Sequence, residues 1–126
     1  MWIVDSSDEY DAWFLTLDEE SKEAVLQRVI LLRQYGPNLP RPYADVIHGS
    51  KKLKNLKELR NQTQHHLLRV SYYFDSKRNA FLLTGGDKKG KDQDKFYKDL
   101  IAESEEIVEK HEKELENERR NQNDGK

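Results

Sequence analysis

Leu67–Thr84, LLRVSYYFDSKRNAFLLT, decides the fold. Its first eight residues, Leu67–Phe74, carry β-branched and aromatic side chains and predict a strand. Asp75–Asn79 (DSKRN) is a run of turn formers of hairpin length. Ala80–Thr84 (AFLLT) is almost continuously apolar, the pattern of a central, buried strand. Gly85-Gly86 is expected to end it.

Upstream, Leu53, Asn55, Lys57 and Leu59 alternate with Lys54, Leu56, Glu58 and Arg60, and a strand is expected near 55–60. Residues 36–50 (GPNLPRPYADVIHGS) hold all three prolines and read as a loop. Further upstream the period becomes helical. Tyr10, Trp13, Phe14 and Leu17 form one stripe behind an N-cap at Ser6 or Ser7. Ala24, Val25, Val29 and Leu32 form another behind Asp18, stopped by Gly36-Pro37. Trp2–Asp5 reads as a first strand. Downstream, a charged loop (DKKGKDQD) leads into a third helix with Phe96, Tyr97, Leu100, Ile101, Ile107, Val108 and Leu115 on its apolar side. No apolar residue follows Leu115, so residues 117–126 are expected to be a disordered charged tail behind a single domain, 1–116. The expected order is β-α-α-β-β-β-α. This is an α+β domain with a small, mainly antiparallel sheet, an N-terminal helical hairpin and a C-terminal helix.

Leu, Ile, Val and Phe make up about 24% of the 126 residues, enough for a core but a small one. There is no Cys, which excludes disulfides and thiolate chemistry. No run is apolar enough to span a bilayer and no signal-peptide core is evident, so a soluble, cytoplasmic protein with no membrane partner is expected. The net charge of -2 conceals a pattern. Residues 48–98 hold 13 basic and 5 acidic side chains, whereas 1–47 hold 4 and 9, and 99–126 hold 5 and 10. A basic middle between acidic ends suits a phosphate-binding surface, with both acidic ends turned away from it.

Glycine-rich phosphate loops are absent, and the spacing of His48, His65, His66 and His111 defines no metal site. What remains is Lys57 and Arg60 on one strand, Arg69 on the next, Lys88 (with Lys89) after the last, and Tyr97 early in the third helix. Arg69 stands between Leu68 and Val70 and either serves a site or pairs with a carboxylate such as Glu58. Such a set suits RNA cleavage by the substrate's own 2′-OH, without metal or cofactor. That reaction needs a base, cations for the phosphate and an acid for the 5′-oxygen. Crowded cations are expected to lower the pKa of a neighbouring Lys or Tyr. Lys51, Lys52, Lys54, Lys89, Lys91 and Lys95 are the candidate RNA-binding residues around it.

At these residues the chain resembles the HigB-type toxins of the RelE/ParE superfamily, in the phage Gp49-like group. The resemblance lies in Lys57–Arg60 (KELR), Leu68–Asp75 (LRVSYYFD), Lys77–Gly90 (KRNAFLLTGGDKKG), Phe96-Tyr97 and the loop GPNLPRPYADVIHGS, and runs from about residue 2 to 115. It implies the toxin of a type II toxin–antitoxin pair, a ribosome-dependent, metal-free mRNA endonuclease. It also implies a helix-turn-helix, HigA-type antitoxin as partner. By motif the catalytic set is Lys57 or Arg60, Arg69, Lys88 and Tyr97. Some relatives use a His near the end of this set. None stands between Arg69 and Tyr97 here, so Lys or Tyr has to serve. Two other readings use the same scaffold: a ParE-like, gyrase-binding inhibitor without enzymatic activity, and an inactive nucleic-acid-binding module.

Overall fold

The computed structural model describes residues 1–124. Ser7 caps the first helix by accepting from the Tyr10 N–H, and Asp18 caps the second by accepting from the Ser21 N–H. The elements are β1 (Val4–Ser6), α1 (Asp8–Leu15), α2 (Glu19–Tyr35), a 3-10 turn (Gly36–Asn38), β2 (Ala44–Val46), β3 (Lys57–Gln62), β4 (Leu67–Phe74), β5 (Ala80–Asp87) and α3 (Gln93–Asp124). The five strands stand in the order β1-β5-β4-β3-β2. The pairing of β1 with β5 is parallel and the other pairs are antiparallel.

Helices cover both faces of the sheet. The α1–α2 hairpin packs Tyr10, Val25 and Leu32 against Leu59, Leu68, Val70, Tyr72 and Leu82. On the opposite face α3 packs Phe96, Leu100, Ile107 and Val108 against Leu56, Tyr73, Phe81 and Leu83. A register shift lies at Ser71/Tyr72, where Ser71 pairs with Thr84 and Tyr72 with Leu82. Leu83 is therefore the extra residue of a β-bulge, and side-chain parity reverses beyond it. Phe81 and Leu83 face α3 before the bulge. Thr84, whose hydroxyl donates to Glu103 on α3, faces it afterwards.

The α+β architecture agrees with the sequence expectation, with three differences. Ala44–Val46 is a strand, not loop. It is only three residues long and pairs with Lys57–Leu59 at the sheet edge, too short for its period to stand out among prolines. Gly85-Gly86 does not end β5, which runs to Asp87. These glycines serve close packing: a Cβ on Gly85 would stand 2.5 Å from the Trp13 ring, and one on Gly86 2.9 Å from Phe96. The third difference is at the C-terminus, where α3 continues to Asp124 instead of giving way to a tail at 117. Among the described side chains its last buried one is Leu115, the last apolar residue, and Lys77 pairs with Glu118 at 3.1 Å beyond it. The final part of the expected tail, residues 125–126, lies outside the described residues. Among the described residues no helix is long and apolar enough to cross a membrane.

Candidate functional site

β3 and β4 place Arg60 directly opposite Arg69, and Glu58 opposite Ser71. On the α3 side of the sheet Glu58 becomes the hub. Its Oε1 accepts from the Tyr97 hydroxyl at 2.8 Å and lies 3.7 Å from Arg69 Nε, while its Oε2 lies 4.0 Å from Arg60 Nε. Both Glu58 and Arg69 are 5% exposed. Arg69 Nη1 donates to the Leu68 carbonyl at 3.0 Å, but its buried Nε has no hydrogen-bond partner among the described residues. A buried donor left unpaired costs about 1–3 kcal/mol, so such a group calls for an explanation, of which a waiting ligand is one.

The extension of β5 to Asp87 brings Lys88 in. Its backbone N–H donates to the Leu67 carbonyl at 2.9 Å, and its Nζ sits 5.7 Å from the centre of the Tyr97 ring. Burial pushes the Glu58 carboxyl above its ordinary value, an effect opposed by the Tyr97 hydrogen bond and by Arg69, Arg60 and Lys88. Burial, with Arg69 nearby, holds the Lys88 ammonium below its ordinary value. The Tyr97 phenol moves up, not down as expected from crowded cations. Burial and the bond to Glu58 outweigh the pull of Arg69.

Four of the five expected residues thus meet: Arg60, Arg69, Lys88 and Tyr97. Lys57 does not. Strand alternation turns it to the hairpin side, opposite Tyr72, where its Nζ donates to the Pro37 carbonyl at 3.2 Å. Glu58, read from the sequence only as an ion-pair partner for Arg69, is the group all the others address. The period-two alternation through KELR already sets it beside Arg60 and apart from Lys57, but the candidate set joined Lys57 to Arg60 across that alternation. Arg28 on α2 was also missed. Its Nε donates to the Arg60 carbonyl at 2.9 Å and its guanidinium lies 4.9 Å from the centre of the Tyr43 ring.

The outlying lysines divide. Lys51 and Lys52 line a cavity of about 530 Å³ that shares Tyr97 with the site. Lys91 and Lys95 line another, of about 440 Å³, beside Gly85, Gly86 and Phe96. Lys54 and Lys89 are exposed. Acidic residues are interleaved with them, with Asp94 and Glu105 in the first cavity and Asp92, Asp99 and Glu103 in the second. The acidic ends do not simply turn away, since α2 reaches the site through Arg28, and Asp99, Glu103 and Glu105 of the C-terminal end line the neighbouring cavities. Among the described residues no cluster of three or more His, Asp or Glu side chains is arranged to hold a metal ion.

Residues 12–109 match the family model of phage-derived Gp49-like proteins. Two proteins of Mycobacterium tuberculosis (strain ATCC 25618 / H37Rv) that carry the toxin names HigB2 and HigB3 are similar in sequence. The first is 33% identical over 111 residues, which covers 87% of this chain and 54% of HigB2. The second is 38% identical over 80 residues, or 64% of this chain and 68% of HigB3. The chain therefore spans about half the length of the one and two thirds of the other. Among solved structures, a mutant of the Escherichia coli toxin RelE in the free state superposes with a TM-score of 0.56 at 10% identity, over 87% of this chain and 96% of that one. The RelBE2 toxin–antitoxin complex of Mycobacterium tuberculosis gives 0.52 at 15% identity, over 68% and 96%. These structural likenesses establish the fold alone. The sequence match establishes the family: the chain belongs to the phage-derived Gp49-like proteins, among their HigB-type toxins, on a RelE-like fold.

Proposed function

We propose that this protein is the toxin of a type II toxin–antitoxin pair and an endoribonuclease that cuts mRNA on the ribosome, neutralised by a helix-turn-helix antitoxin of HigA type. The observation that carries the reading is the half-buried Glu58–Tyr97 contact ringed by Arg60, Arg69 and Lys88. In this reading Glu58, its basicity raised by burial, takes the proton from the substrate's 2′-OH. The 2′-oxygen attacks the adjacent phosphorus, and the P–O5′ bond breaks to leave a 2′,3′-cyclic phosphate. Arg69 and Arg60 offer N–H groups to the phosphoryl oxygens as charge accumulates there, the part a metal ion would otherwise play. Lys88, whose proton is loosened by burial and by Arg69, protonates the departing 5′-oxygen. Tyr97 holds Glu58 in place. No general base of histidine type is required.

The test is primer extension on cellular mRNA after induced expression of wild type and Lys88→Ala. New 5′ ends within coding regions for wild type, lost in the variant, are expected. Purified toxin with ribosomes should cut equally well in EDTA with the ribosomes' magnesium replaced by a polyamine. Growth arrest with intact mRNA and DNA-damage signalling would overturn the nuclease reading in favour of a ParE-like inhibitor.

A further inference from the structure

Arg60 and Arg69 have a second side. Besides contacting Glu58 they line, with Arg28, Asn61, Gln62 and Pro42, a cavity of about 260 Å³. Three arginines from three elements line it and none of the lining residues is acidic, while Glu58 lies 3.7 Å from Arg69 Nε and 4.0 Å from Arg60 Nε. Arg28 does not reach it by accident of a flexible chain. The stack on Tyr43 and the bond to the Arg60 carbonyl hold its head, and Arg28 is among the residues that line the cavity. Tyr43 is fixed in turn, because its carbonyl accepts from the Arg60 N–H at 2.9 Å. Glu58 offsets one of the three arginine charges, and the two left over favour an anion. Guanidinium forks match phosphate oxygens in particular. The cavity is smaller than the usual run of ligand sites, about 300 to 1,000 Å³. That suits one phosphate with part of its sugar, not a whole nucleotide.

We propose that the Arg28–Arg60–Arg69 cavity is a second phosphate site, which takes the phosphodiester neighbouring the scissile one and so sets the register of the RNA strand across Glu58 and Lys88. The assignment rests on the nuclease reading for the identity of the strand. The anion site itself rests only on the three arginines. Arg60 and Arg69 stand between the two phosphates, one side of each turned to either. Arg28 belongs to the second site alone.

The test uses a short single-stranded RNA, 2′-O-methylated throughout so that it binds without being cut. Its affinity is measured by fluorescence anisotropy against salt for wild type, Arg28→Gln and Arg28→Lys. Each phosphate contact contributes about 0.7 to the salt slope for single strands, so Arg28→Gln should lower the slope by about 0.7 and weaken binding about tenfold at low salt, while Arg28→Lys keeps most of the slope. In a series of RNAs carrying one neutral methylphosphonate link at successive positions, wild type should be sensitive at two adjacent links and Arg28→Gln at one. Equal slopes and equal patterns for wild type and Arg28→Gln overturn the proposal. Inorganic phosphate is the second probe. If it moves the Arg28 side-chain NMR signal while RNA binding ignores Arg28→Gln, the cavity is a free-phosphate site and the phosphodiester assignment fails. Failure of the nuclease reading is seen separately, as wild type that binds these RNAs with the Arg28 dependence but leaves no cuts in cellular mRNA.

Discussion

The Tyr97 hydroxyl donates to Glu58 Oε1 across 2.8 Å, joining the first turns of α3 to the middle of the sheet at its most crowded point of charge. That bond works to lower the Glu58 pKa against burial. Tyr97→Phe keeps the ring beneath Lys88 and removes the hydroxyl that bonds Glu58, so the Glu58 pKa should rise further. The acid limb of the pH–rate profile, where activity grows as Glu58 loses its proton, should then move to higher pH, and the maximal rate should fall by about 10–100-fold. Cleavage of a ribosome-bound message measured across pH checks both. An acid limb that stays in place means Glu58 is not the base.

Lys57 and Lys88 offer a matched pair. Lys88→Ala should lower the cleavage rate by about 10²–10⁴-fold, the usual cost of losing an acid catalyst. Lys57→Ala should leave it unchanged, because that ammonium is occupied with Pro37 on the far side of the sheet. Single-turnover cleavage by the two variants decides the matter. Equal losses would mean that the strand turns over on binding RNA.

His66 bridges two carboxylates, with Nδ1 2.5 Å from Asp87 and Nε2 3.2 Å from Asp18, and so ties the start of α2 to the end of β5. The bond to Asp87 leads in raising the His66 pKa above its ordinary 6.5. A group whose pKa is raised by folding stabilises the fold fully below its ordinary value and loses that contribution as pH rises through the folded one. Asp18 and Asp87 are lowered, so they contribute above the ordinary carboxylate range and fail as pH falls. The urea midpoint of the wild type should therefore decline as pH climbs past 6.5, and His66→Gln should remove that decline. Parallel curves for the two proteins would show the bridge to be without energetic consequence.

Gly85→Ala should destabilise the fold by about 1–3 kcal/mol, the cost of overpacking, since the new methyl would stand 2.5 Å from the Trp13 ring. Urea unfolding followed by tryptophan fluorescence reads the loss and the displacement of Trp13 together. Gly85→Ala at wild-type stability would mean that Trp13 has room to move.

Much of this was legible in the chain. LLRVSYYF and AFLLT marked β4 and the core of β5 because their side chains are of strand type and are buried on both faces. Ser7 and Asp18 marked the helix starts because an N-cap is a local device. What escaped depends on partners far away in sequence. Gly85 and Gly86 look like a strand end until Trp13 and Phe96 are seen to occupy the space a side chain would take. Ala44–Val46 becomes a strand only because β3 offers it a ladder. In the site, composition singled out the cations, but face assignment separates Lys57 from Arg60 and makes Glu58 their centre. Arg28 lay within an acidic, helical third of the sequence, and only the tertiary fold carries it to the sheet edge.

The parallel pairing of β1 with β5 has a consequence for synthesis. Val4 lies beside Ala80, so the first strand made cannot take its place until the last strand exists. Tyr97 arrives later still. During translation the growing chain therefore holds Glu58, Arg60 and Arg69 without the strand end and helix that complete them. The charged cluster is therefore completed only once residues 88–97 have been made and packed, which places its assembly late in folding.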